Sequence, residues 1–475
     1  MFYYNFKYEL KILLRSRWIQ LISALLLLLF VFAAYNGTQK VDKRKAEINT
    51  ARVSLNASDL RMLEQLDSLE NGHKINVARW MIPTNPITIG NYYPRVAAMD
   101  PNEMGFVAVG QSDVFTHYVT PTVSADDFSL NFIEMTSPIQ LLFGSFDLMF
   151  VLVYLLPLII IAFSYNVLSE EKERGSLRLL ASQPISIRKW VLQKLGLRFF
   201  WMAVIITIIS SCLVLIKGNI SFVGLLSLLG IVFSYMLFWF SLAFAVNLLV
   251  GKSAKNALSL LGLWIVFVLL LPSMISQMGD VFYEIPPRTQ MVQEIREHKA
   301  EAVERQDEIL DNYLRDHPEY AINDSTQSRN YWHSFIASQK LIKDELRPIL
   351  ETYENQIKQQ QQWLSKLKWL SPAIIAQRSL GEMAGTTKAD YDNYHTQVQQ
   401  FAEQWRNYFV PLLYNNESFK GAMYTNLPTF KYTAKNDNSL LFSIGGLVLI
   451  SVIIALLTLS RIAVKAKKSS IIDIL

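Results

Sequence analysis

The chain of 475 residues has one cysteine, Cys212, and six histidines. A single thiol excludes an intrachain disulfide and a cysteine-rich metal site, so any large hydrophilic region must fold without covalent staples. Neither His-Glu-x-x-His nor Gly-x-Ser-x-Gly occurs, so a membrane-bound hydrolase has no signature to rest on. Gly251-Lys252-Ser253 imitates the end of a phosphate-binding loop, but Val246 stands where that motif requires glycine. It reads instead as a short basic loop between apolar runs. Asp113 and His117, four residues apart, could meet on a helix, but no further histidine lies nearby and a metal site needs three or four ligands. No catalytic, cofactor-binding or metal-binding residue is therefore assigned. Inside the long apolar runs there is no Lys, Arg or His, and the only acid is Asp147 at the mouth of one of them. A proton- or ion-coupled carrier usually needs such groups at mid-membrane, so the energy for any transport comes from elsewhere.

What the chain does have is apolar length. It is 51% hydrophobic, with 27 Phe, 21 Tyr and 10 Trp, the composition of an integral membrane protein. Six runs suit transmembrane helices: residues 18–35, 146–165, 199–216, 220–250, 257–271 and 440–460. The fourth is longer than the roughly 20 residues a bilayer needs and is expected to tilt or project. The second contains Pro157, a kink that buried membrane helices tolerate. The expected fold is mainly α, a polytopic membrane protein. Residues 1–17 place Phe2, Tyr3, Phe6, Leu10, Leu13 and Leu14 on one side of a helical wheel, as in an amphipathic helix lying at the membrane surface. The competing reading is the basic start of a cleaved signal peptide, with Val31-Phe32-Ala33 as a marginal cleavage site.

The net charge of +5 is modest, and the basic residues flank the apolar runs instead of forming a nucleic-acid-sized patch. Seven fall in residues 166–198, four in the 461–475 tail and four before Trp18. The positive-inside rule puts those three segments, and both termini, in the cytoplasm. Lys40, Lys43, Arg44 and Lys45 argue the other way, but a long region translocates despite its charge. The two long hydrophilic regions, 36–145 and 272–439, then form extracytoplasmic domains. The first begins with a charged helical pattern and ends rich in Pro and Gly. The second reads as a helical hairpin or small bundle brought back to the interface by Trp363, Trp369, Leu370 and Ile374.

Between the second and third runs stands a compact charged handle, residues 169–190. Glu170, Glu171 and Glu173 interleave with Lys172 and Arg174, and Gly175 breaks the run. Leu177, Leu179 and Leu180 then give an apolar side before Pro184. A short amphipathic helix along the membrane fits this pattern, and so does an ordinary positive-inside loop. The order acidic-basic-acidic, Gly175-Ser176, a Leu-rich turn and Ser182-Gln183-Pro184 resembles the segment after the second span of ABC-2-type permeases, the membrane subunits of ATP-driven exporters. Ala97 to Pro101, Val109 to Asp113, Leu370 to Ala373, Gln377 to Leu380 and Ala384 to Thr386 are similar to outer segments of a large-loop subgroup of that family.

The resemblance implies that the handle is a coupling helix docking on a separate ATPase subunit, with Glu170, Glu171, Glu173, Arg174, Gly175, Ser176, Leu179 and Pro184 as contact residues. It implies ATP and Mg on that partner, a second permease copy or paralogue, and export across a bacterial inner membrane. Glu171 and Glu173 are expected to meet basic residues of the ATPase. A different reading follows from the size of the outer regions: an ATP-driven protein that transmits force to an envelope partner while moving no cargo.

Overall fold

The computed structural model describes residues 2–110, 112, 116–124, 146–177, 186–217, 221–283, 331–434 and 439–472, with parts of 293–318. The described chain is almost wholly helical. Its one sheet is a two-residue antiparallel ladder, β1 (Ala97–Ala98) with β2 (Tyr118–Val119). Among the described residues six helices are long and apolar enough to cross a membrane, as a mainly-α polytopic membrane protein requires.

α1 (Phe2–Arg15) is followed by α2 (Arg17–Glu70), a single helix of 54 residues. The hydropathy changes at Asn36 but the helical period does not. Ile19, Ile22, Leu26, Phe30, Ala33, Gly37, Val41, Arg44 and Ile48 are buried at steps of three or four, and Met62 and Leu66 resume the stripe near the far end. At 1.5 Å per residue α2 is about 80 Å long, well over twice a hydrocarbon core of about 30 Å. The sequence reading split this element at residue 35. The structure joins the first span to the hydrophilic region because nothing there stops a helix. Gly37 serves packing: a Cβ at that position would lie 2.1 Å from the Phe106 carbonyl oxygen.

The second apolar run is a helix, α4, after the short α3 (Pro86–Tyr92). α4 comprises Leu148–Phe150, a π-helical turn Val151–Leu155, and Leu156–Ser164. Asp147, fully buried, caps it by accepting from the Phe150 amide at 2.9 Å, and it also accepts from the Val109 amide at 2.8 Å and the Gly110 amide at 3.0 Å. α5 (Ser169–Glu173), α6 (Ile187–Lys217) and α7 (Phe222–Leu249) follow. α8 is again interrupted: Ser253–Trp264, a π-helical Ile265–Leu270, and Leu271–Phe282. Both π segments run into a proline, Pro157 or Pro272, which removes a backbone donor and leaves carbonyls to be met from elsewhere. The Tyr235 hydroxyl donates to the Val153 carbonyl at 2.9 Å, and the Ser371 hydroxyl to the Phe267 carbonyl at 2.6 Å.

The remaining helices are α9 (Gln306–Asp316), α10 (Tyr331–Leu367), α11 (Pro372–Ala384), α12 (Lys388–Tyr414) and α13 (Ser439–Ile472). α11 departs from the sequence reading, which left it in the second hydrophilic region. Its Ala373, Ile375, Ala376, Leu380 and Ala384 belong to the core of the span bundle. With 13 residues, about 20 Å, it is too short to cross and is wedged among α7, α8 and α13. Just before it, the Trp369 ring lies over Gly446 of α13, where a Cβ would fall 1.9 Å from a ring carbon.

The two hydrophilic regions, read separately in the sequence, share one core, here called the headpiece. Met62 and Leu66 of α2, Ile87 and Ile89 of α3, and Tyr394, Phe401, Trp405 and Phe409 of α12 are buried together. Trp405 donates to the Gly90 carbonyl at 3.0 Å, and Tyr394 to the Ala97 carbonyl at 2.8 Å. Asp59 of α2, 3% exposed, takes Arg95 at 2.5 Å and the Tyr424 hydroxyl at 2.8 Å, while the guanidinium lies 5.1 Å from the Tyr424 ring centre. Both donors meet Oδ2, while Oδ1 is buried with no hydrogen-bond partner among the described residues, so the desolvation of this carboxylate is only partly compensated.

Gly37→Ala is expected to force α2 off the Phe106 segment, costing about 1–3 kcal/mol as overpacking does; the thermal-unfolding midpoint in detergent checks it. A second expectation concerns acid. Burial, helped by the Arg44 charge, drives the His117 imidazole down to about 3. Burial also lowers His333, and it lowers His395 against the pull of Glu354 and Asp392. The folded headpiece thus takes up these protons at lower pH than the unfolded chain, whose histidines protonate near 6.5. Stability is therefore full above about pH 6.5 and falls below it, for His117 down to about pH 3. Each such proton contributes a slope of up to about 1.4 kcal/mol per pH unit. His117→Asn should flatten the midpoint-against-pH curve between pH 6.5 and 5.

Candidate functional site

The handle lies at the end of the bundle opposite the headpiece, and its described parts are residues 169–177 and 186–190. α4 ends in a turn at 165–168, α5 follows at once, and Gly175 adopts φ +78°. Among the described residues no atom crowds Gly175, and the glycine there serves the left-handed turn. Leu179 and Pro184, two of the expected contact residues, lie outside the described residues. The amphipathic continuation of the handle lies there as well.

Each carboxylate of the segment has a partner in the chain. Glu170 accepts from Asn166 at 2.7 Å and pairs with Arg174 at 2.5 Å. Glu171 accepts from the Ser176 hydroxyl and from Lys194 of α6 at 3.0 Å. Lys194 in turn reaches Glu9 of α1 at 2.9 Å and sits 4.2 Å from the Trp190 ring centre. Its side chain is only 10% exposed, so one ammonium bridges two carboxylates on α1 and α5 out of bulk water. Glu173 holds the start of α8, accepting from the Ser253 amide at 2.8 Å and the Ser253 hydroxyl at 2.9 Å. The placement is that of a carboxylate at a helix N-terminus, where the backbone donors lack intrahelical partners.

Buried amides complete the attachment. Asn247 of α7, fully buried, donates to the Ser164 carbonyl at 2.8 Å and accepts from the Leu168 amide at 3.2 Å. Asn256 of α8 donates to the Tyr165 carbonyl at 3.0 Å, and Ser169 lies 2.8 Å from the Ser253 hydroxyl. The handle is thus fixed to α1, α6, α7 and α8 by polar contacts made largely out of water. The outward surface is left to Lys172, Glu173, Arg174 and Gly175, all exposed. This alters the sequence expectation for Glu171, which turns inward to Lys194. Glu173 stays at the surface with its oxygens committed to Ser253.

The family comparison falls elsewhere in the chain. A family described as a domain of unknown function, DUF3526, matches residues 288–433. No curated protein and no solved structure matches the chain. The matched stretch contains the wedged helix α11, the core helix α12 and the Ala384 to Thr386 segment, none of which belongs to the handle.

Sequence reasoning selected the acidic run but missed what anchors it. Glu9, Lys194, Asn247 and Asn256 were given no role, and Ser253 was read only as part of a short basic loop. The signal was present in the last three: amides at 247 and 256 beside apolar runs are costly unless bonded, and Ser253 begins a helix. Among the described residues no group of three or more His, Cys, Asp or Glu is placed to hold a metal ion.

Lys194→Gln removes the charge shared by Glu9 and Glu171. Amide hydrogen exchange across α5 and the α1 residues around Glu9 should quicken about tenfold or more. Exchange in the headpiece core around Trp405 should not change.

Proposed function

We propose that this chain is the membrane-spanning permease subunit of an ABC-2-type exporter, coupling ATP hydrolysis on a separate subunit to export of a substrate. The observation that carries the reading is the handle. A charged turn after the second span presents Lys172, Glu173 and Arg174 outward while its other side is fastened to four helices. A docking element must do both: offer charge to a partner and pass that partner's movement into the spans. A loosely attached positive-inside loop would do the first only. ATP and Mg belong to the partner, two permease chains face two ATPases, the membrane is a bacterial inner membrane, and the handle and both termini are cytoplasmic.

A second reading draws on the unbroken α2. A helix that runs from the bundle core into the headpiece core can carry motion outward without any substrate crossing. The protein would then be an ATP-driven force transmitter acting on an envelope partner through its headpiece. Transport into proteoliposomes supports export. Capture of an envelope protein on the headpiece, with no transport by the reconstituted complex, supports the transmitter.

The first experiment is affinity purification of the solubilised chain from its native host, with mass spectrometry of what accompanies it. Wild type should retain an ATPase bearing a phosphate-binding loop. Lys172→Glu with Arg174→Glu, which changes the outward face and spares the Lys194 bridge, should lose at least nine-tenths of it. A well-folded wild type that retains no ATPase overturns both readings.

A further inference from the structure

After β1 the chain crosses the headpiece end of the spans as residues 102–110, a strap of turns with neither α-helix nor strand. It is nevertheless buried: Met104, Phe106, Val107 and Ala108 are 0–4% exposed and belong to the core of the span bundle. Irregular backbone has no ladder of its own, so its buried polar groups must be met from other elements. Besides two tight turns, Gly105 on the Asn102 carbonyl and Val107 on that of Met104, its bonds run to the ends of helices. The Val107 carbonyl accepts from the Met149 amide of α4 at 2.8 Å, and the Val109 and Gly110 amides donate to Asp147, the cap of the same helix. Thr386, just past α11, donates its hydroxyl to the Ala108 carbonyl at 2.6 Å, and Asn102 donates to the Met383 carbonyl at 3.2 Å. Glu103 accepts at 3.3 Å from the amide of Ser221, the cap of α7, while the Phe106 carbonyl fills the notch that Gly37 leaves in α2.

Four helices of one core therefore meet at this strap, and it stands between their interior and the headpiece. Withdrawing it breaks no bond of a helical ladder. Its ties are side-chain bonds and one amide from the first turn of α4, whose donors lack intrahelical partners. Local opening can break such ties while the helices stay intact. Two of the attached elements also lead back to the handle. Beyond its π-helical turn α4 has only Leu148–Phe150, on which the strap rests, and its other end runs into the handle. α11 starts beside Ser371, which is bonded to the π-helical turn of α8, and Glu173 of the handle holds the first residue of α8.

We infer that residues 102–110 are a movable closure of the bundle, seated by Asp147, Asn102 and Thr386, which opens as a unit while the helices stay folded and responds to nucleotide on the partner ATPase. The response to nucleotide rests on the exporter reading. The opening itself does not, since it rests on the strap and its ties alone.

The test is amide hydrogen exchange, read by mass spectrometry on the full chain in lipid discs. Asn102→Ala with Thr386→Val removes two of the ties. Asn102 is exposed and valine keeps the shape of threonine, so the thermal midpoint should match wild type. Exchange in residues 104–110 should quicken at least tenfold, while α12 around Trp405 does not change. The opposite variant fastens the strap. A Cβ at Gly385 would lie 3.6 Å from that of Asn102, within the roughly 3.5–4.5 Å that a disulfide bridges. Asn102→Cys with Gly385→Cys, made in a Cys212→Ser chain, is therefore closed by oxidation. Oxidation should slow the same amides at least tenfold and reduction should restore them; the reduced form controls for a side chain at φ +67°. Asp147→Asn, at a buried helix cap, is a supporting variant only. In the complex with its ATPase, ATP with Mg and vanadate should quicken strap exchange at least tenfold in wild type and leave the oxidised variant unchanged. Strap amides that exchange only together with the surrounding helices, or that ignore both variants, overturn the inference. So does a strap insensitive to nucleotide in a complex that retains its ATPase. If wild type retains no ATPase, the nucleotide step falls with the exporter reading, and the two variants alone decide whether the strap opens.

Discussion

The arrangement depends on one helix being part of two cores. α2 buries Leu26 and Phe30 among the spans and Met62 and Leu66 in the headpiece, and no break separates the two sets. Apolar burial of about 25 cal/mol per Å² acts on the headpiece half, where water is the alternative. Within the lipid half, close packing and backbone satisfaction matter more. One rigid element therefore answers to two solvents, and Gly37 and Arg44 sit at the change between them. Gly37 lets the Phe106 backbone touch the helix, and Arg44 ties the helix to Met99 as the surroundings turn polar.

At the opposite end the fastening is electrostatic. The bundle there has no large apolar domain to grip, so the handle is held by Lys194 between two carboxylates, by Glu173 at a helix start and by two buried asparagines. Such contacts are directional in a way that apolar packing is not. They fix the orientation of a nine-residue turn that has little core of its own.

Hydropathy made the six spans legible, because an apolar run of sufficient length has few alternatives. It misplaced what composition does not mark. The division at residue 35 followed a change in polarity, and a helix ignores polarity so long as no proline or unfavourable turn stops it. α11 was assigned to the headpiece because Ser379 and Glu382 dilute its hydropathy and it is too short to register as a span. Its burial is visible only once α7 and α13 are seen to enclose it. The charged residues of the handle were legible by type and order, but their partners, Lys194 at 23 positions from Glu171 and Ser253 at 80 from Glu173, were not. Long-range pairing of that kind is set by the packing of helices, and local pattern carries no trace of it.

The two prolines in the spans acquire a meaning from where the handle is attached. α4 runs into the handle, and α8 begins at the Ser253 that Glu173 holds; both are jointed midway, before Pro157 and Pro272. A continuous helix pushed at one end moves as a piston. A helix interrupted by a π turn before a proline is a place where bending concentrates, so its two halves can take different tilts. The fulcrum of each lever is then a single hydroxyl, Tyr235 on the Val153 carbonyl and Ser371 on that of Phe267. Ser371 belongs to the approach to α11, so bending α8 also moves the wedge at the centre of the bundle.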